Sequence, residues 1–237
     1  MKVMKMPWVN GLAAFGLVVA VTGGFAAVGS AQSISGQAYG AYVNTPVASF
    51  AQSPLAVLPY ITGTDGDIAT AQADALNVGG ALSSDFLNST TTGELGTADA
   101  GSQSTATVAD INILNGLITA TEVIANVVST RTASGAWSNA NGSSFEGLTV
   151  AGVPVTSGDG WVAPNTQMSL PGVGYVVLNE QIPSGDGVTS SGLTVNMIHV
   201  YLQSLTGGGC TVLGCLPGTL TDTGEIIVGS ATSSVGP

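Results

Sequence analysis

The dipeptide Asn115-Gly116 constrains the fold of this chain more than any other feature, because two long runs typical of β-strands flank it. Asn and Gly tolerate the positive φ angles that both central positions of a type I′ turn require. The twist of this turn also matches the twist of paired strands. The sequence therefore predicts a β-hairpin over residues 105–130.

The turn also predicts which side chains share a face, since the register runs outward from Leu114 opposite Leu117. Apolar side chains fall together on the face that we expect to be buried: Ile111, Ile113, Ile118 and Ala120. Polar side chains fall on the other face and form a candidate contact surface: Asp110, Asn112, Thr119 and Thr121. In this register Asp110 and Glu122 lie on opposite faces, so we do not expect them to form a catalytic pair of carboxylates.

The N-terminal residues indicate export. Two lysines precede an uncharged apolar stretch over residues 11–28, and small residues follow at Gly29 and Ala31. This arrangement is typical of a secretory signal peptide over residues 1–31, and we expect a mature chain that begins near Gln32. The alternative is an uncleaved anchor helix, since the apolar stretch approaches the roughly 20 residues that span a bilayer. Any membrane contact is expected only through an uncleaved signal peptide.

The charge of the chain excludes several classes of partner. Fourteen acidic and three basic residues are present, and removal of residues 1–31 leaves Arg131 as the only basic residue and a net charge of −13. Binding to nucleic acids or to an anionic lipid surface relies on Lys and Arg. We therefore expect no nucleic-acid partner, and we expect the acidic surface to favour solubility.

Residues able to cross-link the chain or to bind a metal are few. Cys210 and Cys215 enclose four residues, and in an exported chain we expect them to form a disulfide that pins a small loop. Loop entropy gives such a bond about 2 kcal/mol, which is a local effect. A metal site at the cysteines lacks partners, because His199 is the sole histidine. Asp65 and Asp67 are better explained by an Asp-Gly turn than by a cation site.

Composition predicts an all-β fold. About 206 mature residues suffice for one core, and the abundance of Gly, Ser, Thr, Ala and Val suits strands and turns. Further turn signals lie at Ala151-Gly152 and Pro171-Gly172. We predict one domain over residues 32–231, packed as an antiparallel, hairpin-rich β-sandwich of about nine to twelve strands, followed by a flexible tail over residues 232–237. A β-solenoid is the alternative, although no fixed repeat period is present.

Three segments give weaker signals. Residues 69–79 alternate so weakly that a short helix remains an alternative to a strand. Residues 83–101 are rich in Ser, Thr, Gly and Asp and predict a long loop or a pair of poorly marked strands. In residues 193–203 the apolar positions change phase after Met197, which indicates that both faces are buried or that a bulge shifts the register.

Five segments of the chain, taken in order, resemble a known family. The segments concerned are residues 106–126, 145–156, 165–181, 192–203 and 225–231. Their order and spacing resemble those of the choice-of-anchor P proteins, which are secreted or surface proteins that share one domain and differ in their C-terminal attachment signal. The resemblance implies a bacterial envelope or extracellular location, and it brings no established catalytic residues. The chain departs from the family theme in showing no LPxTG-type sorting motif.

Side chains that could support catalysis are sparse. His199 lies among alternating apolar residues, so we expect a packed or cross-strand histidine rather than a general base. No G-x-S-x-G elbow, H-E-x-x-H helix or glycine-rich phosphate loop occurs. We therefore predict a noncatalytic exported protein at the cell surface or outside the cell, with a structural or adhesive role and no cofactor. Its expected partner is a glycan or a protein of the cell envelope or the extracellular space.

Two other functions remain open at this level. A carbohydrate-binding module would use Trp137, Trp161 or Tyr175 as a stacking ring, although a Trp that closes one end of a sandwich is more frequent. A secreted hydrolase would need a base or two carboxylates brought together by the fold, and it is the less favoured of the two.

Overall fold

A computed structural model describes residues 32–61, 66–156, 160–207, 209–211, 214–216 and 218–237. The predicted signal peptide and Asp65 lie outside the described residues, and for residues 59–61, 209–211 and 214–216 only the backbone is described. The described residues form one compact unit. None of them belongs to a helix long and apolar enough to cross a membrane.

The described part of the chain consists of β-strands, turns and loops. Its eighteen strands are β1 Ser33–Asn44, β2 Ser49–Ile61, β3 Asp67–Ala73, β4 Leu76–Val78, β5 Leu82–Ser84, β6 Phe86–Leu95, β7 Ala100–Ile113, β8 Ile118–Thr132, β9 Gly135–Asn139, β10 Ser144–Glu146, β11 Thr149–Val150, β12 Val153–Pro154, β13 Thr166–Leu170, β14 Gly174–Gly185, β15 Ser191–Thr206, β16 Gly209–Thr211, β17 Gly214–Leu216 and β18 Thr219–Gly236. This number exceeds the nine to twelve predicted, because strands of two or three residues leave no alternation to detect.

The strands form two large antiparallel sheets. The six-stranded sheet has the order β13-β14-β15-β18-β1-β2. The ten-stranded sheet has the order β12-β11-β8-β7-β5-β4; in addition, β6 pairs with β7, β3 pairs with β6, and β9 and β10 pair with β8. Buried side chains of both sheets form a common core, so the chain is an all-β antiparallel sandwich, as predicted. β16 and β17 form a separate hairpin.

The central hairpin has the predicted register. β7 and β8 pair with Ile113 opposite Ile118, and φ is 55° at Asn115 and 90° at Gly116. The Leu117 N–H donates to the Leu114 carbonyl at 3.4 Å, which closes the turn. The three isoleucines of its apolar face are at most 2% exposed: Ile111, Ile113 and Ile118. The prediction that they are buried together is confirmed.

Two further turns are confirmed. Ala151 and Gly152 both have positive φ between β11 and β12. Pro171 and Gly172 separate β13 from β14, where the Val173 N–H donates to the Leu170 carbonyl at 2.9 Å and Gly172 has φ of 77°, as a type II turn requires.

The structure corrects the predictions for three segments of the chain. Residues 69–79 form β3 and β4, so the helical alternative is wrong. Residues 83–101 contain the end of β5, the whole of β6 and the first residues of β7, so the long loop is wrong and the segment is strand, with one complete strand in place of the predicted pair. The flexible tail is also wrong, because residues 232–236 continue β18 between β1 and β15, and Val235 is only 3% exposed.

In the six-stranded sheet, the alternation of buried and outward-facing side chains reverses at one row of residues that are paired across neighbouring strands. In β18, Ile226 and Val228 are buried before the row, and Ala231 and Val235 are buried after it. The register with β15 continues unchanged across Gly229, which has φ of 67°. A residue with positive φ interrupts the alternation of side chains, so the strand presents its opposite face beyond this point.

The same row accounts for the phase change predicted in β15. Asn179 of β14, with φ of 49°, and Gly229 of β18 lie on either side of Met197 in the two registers. The one register shift, between Leu202 and Gln203, comes later in the strand. The apolar residues of β15 before and after this row belong to the same core, so the reversal of alternation explains the phase change, and neither predicted explanation, burial of both faces or a register shift, is correct.

A similar change occurs in the ten-stranded sheet at Asp110, which has φ of 49°. Val108 is buried before it and Ile111 after it, while the register with β8 is unbroken. Glu122 of β8 is thereby left outside the core, on the same outer face as Asp110. The expectation that these two carboxylates lie on opposite faces was wrong, because strict alternation does not hold through a residue with positive φ.

We expect Gly229→Ala to lower the free energy of unfolding by about 1–2 kcal/mol, the usual cost of a left-handed backbone conformation with a side chain. A Cβ at Gly229 would also lie 3.0 Å from Val123 Cγ1 across the core. Gly101→Ala is the control, since a Cβ there meets nothing within 4 Å. Urea denaturation measures both variants, and equal effects would contradict the role of the Gly229 backbone.

Candidate functional site

The outer face of the six-stranded sheet carries a polar group that we call the histidine–carboxylate cluster: Glu180, Asn196, His199, Tyr201 and Glu225. Three adjacent strands, β14, β15 and β18, supply its members. Glu180 lies on one side of the phase-change row and His199 on the other, so the reversal brings both side chains to the outer face.

Hydrogen bonds join the members of the cluster closely. His199 Nδ1 lies 2.7 Å from Glu180 Oε2, and His199 Nε2 lies 3.0 Å from Glu225 Oε2. Asn196 Nδ2 donates to Glu180 Oε2 at 2.7 Å, and the Tyr201 hydroxyl donates to Glu180 Oε1 at 2.8 Å. A neutral imidazole carries hydrogen on one nitrogen only, so both carboxylates accept a hydrogen bond when the ring is doubly protonated.

The cluster shifts the ionisation of its own groups. Burial alone would raise the pKa of the Glu180 carboxyl, but hydrogen bonds from His199, Asn196 and Tyr201 outweigh burial and lower this pKa to about 2. Burial, together with the hydrogen bond to Glu180, raises the pKa of the Tyr201 hydroxyl. Glu180 is therefore held as a carboxylate over the whole range in which proteins usually work.

Tyr201 stacks on one face of the histidine ring, and Tyr175 stacks on Tyr201. The rings of His199 and Tyr201 lie 3.9 Å apart between centroids, and those of Tyr201 and Tyr175 lie 4.7 Å apart with 13° between their planes. His199 is 6% exposed, although it faces away from the core. Tyr175, a predicted stacking residue for a sugar, already stacks on a ring of the protein.

The hydrogen-bonding capacity of His199 and Glu180 is used within the cluster. Both imidazole nitrogens and both Glu180 oxygens have protein partners, so His199 is a cross-strand residue that ties three strands together. The two glutamates bind opposite sides of one ring, so they do not converge on a common point. Among the described residues, no three His, Cys, Asp or Glu side chains are grouped to hold a metal ion.

The candidate contact surface on the hairpin is outward-facing. Asp110, Asn112 and Thr121 are exposed, and Thr119 is half-buried, with its hydroxyl 2.7 Å from that of Thr149 in β11. Asn112 Oδ1 accepts from the N–H of Gly116 at 2.7 Å, so this side chain also stabilises the turn. These four positions form one margin of a larger polar surface.

That larger surface, which we call the polar outer face, covers three adjacent strands of the ten-stranded sheet, β3, β6 and β7. The pairings of β3, β6 and β7 place its hydroxyl and amide side chains in rows: Thr70, Gln72, Asn88, Thr90, Thr92, Gln103, Thr105 and Thr107. In β8, Asn126 Oδ1 accepts from Thr105 Oγ1 and from Gln103 Nε2, each at 2.8 Å. Strand spacing sets the rows about 4.8 Å apart, so the face is a regular array.

The two predicted stacking tryptophans lie on different surfaces. Trp137 of β9 is 46% exposed and pairs with Thr130 at the margin of the ten-stranded sheet. Trp161 is 61% exposed and lines a cleft of about 700 Å³, which Trp137 does not line. The fold therefore does not combine them into one aromatic platform.

The predicted disulfide concerns side chains that lie outside the described part of the structure. The backbone of β16 and β17 pairs Cys210 directly with Cys215. Residues paired in this way have Cα separations of about 4.5–5.5 Å, within the range that a disulfide spans. The bond itself stays a prediction.

Sequence reasoning missed Glu180, Tyr201 and Glu225. Glu180 and Glu225 are distant from His199 in the chain, and only the register of β14, β15 and β18 brings them to it. One signal was available, because His199 and Tyr201 are two residues apart and share a strand face. Nothing in the sequence indicates which glutamates face them.

Comparisons of the chain with protein-family models, curated proteins and solved structures find no match.

Acidification is expected to weaken the fold through Glu180. Its pKa in the folded protein, about 2, lies below the ordinary value of 4.5, so the stability it provides is present above that value and is lost as the pH falls towards 2. In Glu180→Gln, the free energy of unfolding should be lower near neutral pH and should change less on acidification.

Glu94→Gln is the matched control, because Glu94 is exposed and the change removes the same charge. Urea denaturation from about pH 7 to about pH 2 gives the two slopes. Identical pH profiles for the two variants would show that the cluster does not stabilise the protein.

Proposed function

We propose that the chain is a noncatalytic exported β-sandwich protein that acts at the bacterial cell surface or outside the cell, in a structural or adhesive role. The observation that carries this proposal is the polar outer face. Its hydroxyl and amide groups cover the three adjacent strands β3, β6 and β7 and stand in register across them.

Such a face suits adhesion for physical reasons. Hydroxyls and amides both donate and accept hydrogen bonds, so they pair with the hydroxyls and amides of glycans and proteins. Uncharged groups also lose less hydration energy on contact than ions do. Each contact is weak, and a regular array makes many at once, which favours attachment to a repetitive extended partner.

The histidine–carboxylate cluster supports a noncatalytic role. A general base needs a nitrogen or an oxygen that can reach a substrate, whereas both nitrogens of His199 are bonded to glutamates. The stack with Tyr201 covers one face of the ring. We infer that the cluster braces the sheet rather than acting on a substrate.

Export is supported by the position of the folded domain. β1 begins at Ser33, and it pairs with β18 at the centre of the six-stranded sheet. Removal of residues 1–31 would therefore leave every described strand intact. The resemblance to choice-of-anchor P proteins and the predicted disulfide between Cys210 and Cys215 agree with the same location.

Fractionation of the producing cells tests the location. We expect the protein in the medium or in the envelope fraction, starting near Gln32, as detected by immunoblotting and N-terminal sequencing. Recovery only from the cytoplasm, with residues 1–31 intact, would refute export.

Attachment of the protein to the cell envelope is tested by introducing arginines on the polar outer face. In the double variant Thr90→Arg/Thr107→Arg, binding of the purified protein to isolated envelopes of the producing cells should fall about tenfold, because two bulky charges interrupt the array. The control is Val188→Arg, since Val188 is 67% exposed in the turn between β14 and β15. Co-sedimentation measures both, and unchanged binding of the double variant would exclude this face as the adhesive surface.

A further inference from the structure

A second surface has the chemistry of a ligand site. It is a cleft of about 700 Å³ at one edge of the sandwich, between the turn from β9 to β10 and the middle of β14. We call it the amide cleft after the residues that line it: Ser138, Asn139, Ala140, Asn141, Gly142, Ser143, Trp161, Pro164, Asn165, Asn179, Gln181, Pro183 and Leu193. Its volume lies within the roughly 300–1,000 Å³ typical of small-molecule sites.

Backbone hydrogen bonds fix the orientation of two of its amides. Asn139 Oδ1 accepts from the N–H of Asn141 at 3.0 Å, and Asn165 Oδ1 accepts from the N–H of Gln181 at 2.8 Å. The Nδ2 groups of Asn139 and Asn165 are left as donors with no partner among the described residues. Two hydrogen-bond donors of fixed orientation therefore line the cleft.

Gln181 supplies an acceptor to the cleft, and Asn179 holds it in place. Asn179 Nδ2 donates to the Val162 carbonyl at 2.8 Å, which directs Asn179 Oδ1 to accept from Gln181 Nε2 at 3.0 Å. Gln181 Oε1 has no partner within the described ranges, so it is available as an acceptor. Because each of these amides is held by the protein, little side-chain entropy is lost when a ligand binds.

Trp161 completes the cleft with an apolar surface. Its side chain is 61% exposed beside Pro164, and an exposed indole offers a broad flat face of low conformational entropy. The C–H groups of a pyranose ring pack on such a face, while the hydroxyls at the ring edge reach neighbouring polar groups. Rigid amides next to an exposed indole thus match both surfaces of a sugar.

The lack of charged side chains among the described lining residues limits the class of ligand that the amide cleft can bind. No Lys, Arg, Asp or Glu is among the described residues that line the cleft. A phosphate, sulfate or carboxylate would find no basic partner there, and the acidic chain would repel it. An ammonium group would find no carboxylate among these described lining residues.

We propose that the amide cleft binds a neutral oligosaccharide, with one pyranose ring stacked on Trp161 and its hydroxyls bonded to Asn139, Asn165 and Gln181. This inference goes beyond the adhesive role, because the cleft and the polar outer face are different surfaces. Sugar binding is measured with purified protein, so its loss is distinguishable from a loss of attachment to envelopes.

The test is a glycan array that carries neutral cello-, chito-, malto-, xylo- and manno-oligosaccharides together with sialylated and sulfated glycans, probed with the purified protein. We expect binding to at least one neutral series. Calorimetry with the strongest of these oligosaccharides should show at least a tenfold weaker Kd for Trp161→Ala, whereas Trp137→Ala, the matched control, should bind as the parent does.

Asn139→Asp provides a second variant that preserves the fold. It keeps the oxygen that accepts from the Asn141 N–H and replaces the Nδ2 donor, so the Kd should weaken severalfold while thermal unfolding is unchanged. The proposal is overturned by an array without neutral ligands, by binding to anionic glycans alone, or by equal affinities of the parent and Trp161→Ala. Equal losses in Trp137→Ala and Trp161→Ala would also overturn it.

Discussion

In the six-stranded sheet, neighbouring strands reverse the alternation of their side chains at the same row. This reversal determines which residues lie on the outer face of the sheet. Strict alternation from Val195 and Met197 would direct His199 into the core. Positive φ angles at Asn179 and Gly229, on either side of Met197, reverse the alternation while the hydrogen-bond register continues. The reversal occurs in neighbouring strands at the same row, so the sheet remains paired while its two halves present opposite sets of residues.

The histidine–carboxylate cluster is a direct consequence of this geometry. Glu180 and His199 approach one another from opposite sides of the row, and Glu225 reaches the ring from the next strand. The hydrogen bonds to Glu180 overcome the cost of its burial, which is why its pKa falls instead of rising. A polar brace of this kind connects three strands on the side of the sheet that the hydrophobic core does not reach.

Hydroxyl groups hold the two sheets together as well. Ser102 Oγ of β7 donates to the Ser35 carbonyl of β1 at 3.0 Å, and Ser233 Oγ of β18 donates to the Ser102 carbonyl at 2.9 Å. In β6, Ser89 and Thr91 are fully buried. The polarity of residues 83–101 therefore gave a misleading prediction of a loop, because a buried hydroxyl with a partner is tolerated and the partner lies in a distant strand.

The sequence by itself determined the class of fold, the central hairpin with its register, and the turns at Ala151-Gly152 and Pro171-Gly172. These depend on local φ preferences and on alternation over a few residues, which are visible in any short segment. Only the tertiary structure decided where alternation reverses, which glutamates meet His199, and that Asn139, Asn165 and Gln181 line one cleft beside Trp161. Those arrangements require strands far apart in the chain to pair in one particular register, and that pairing is set by the packing of the whole sandwich.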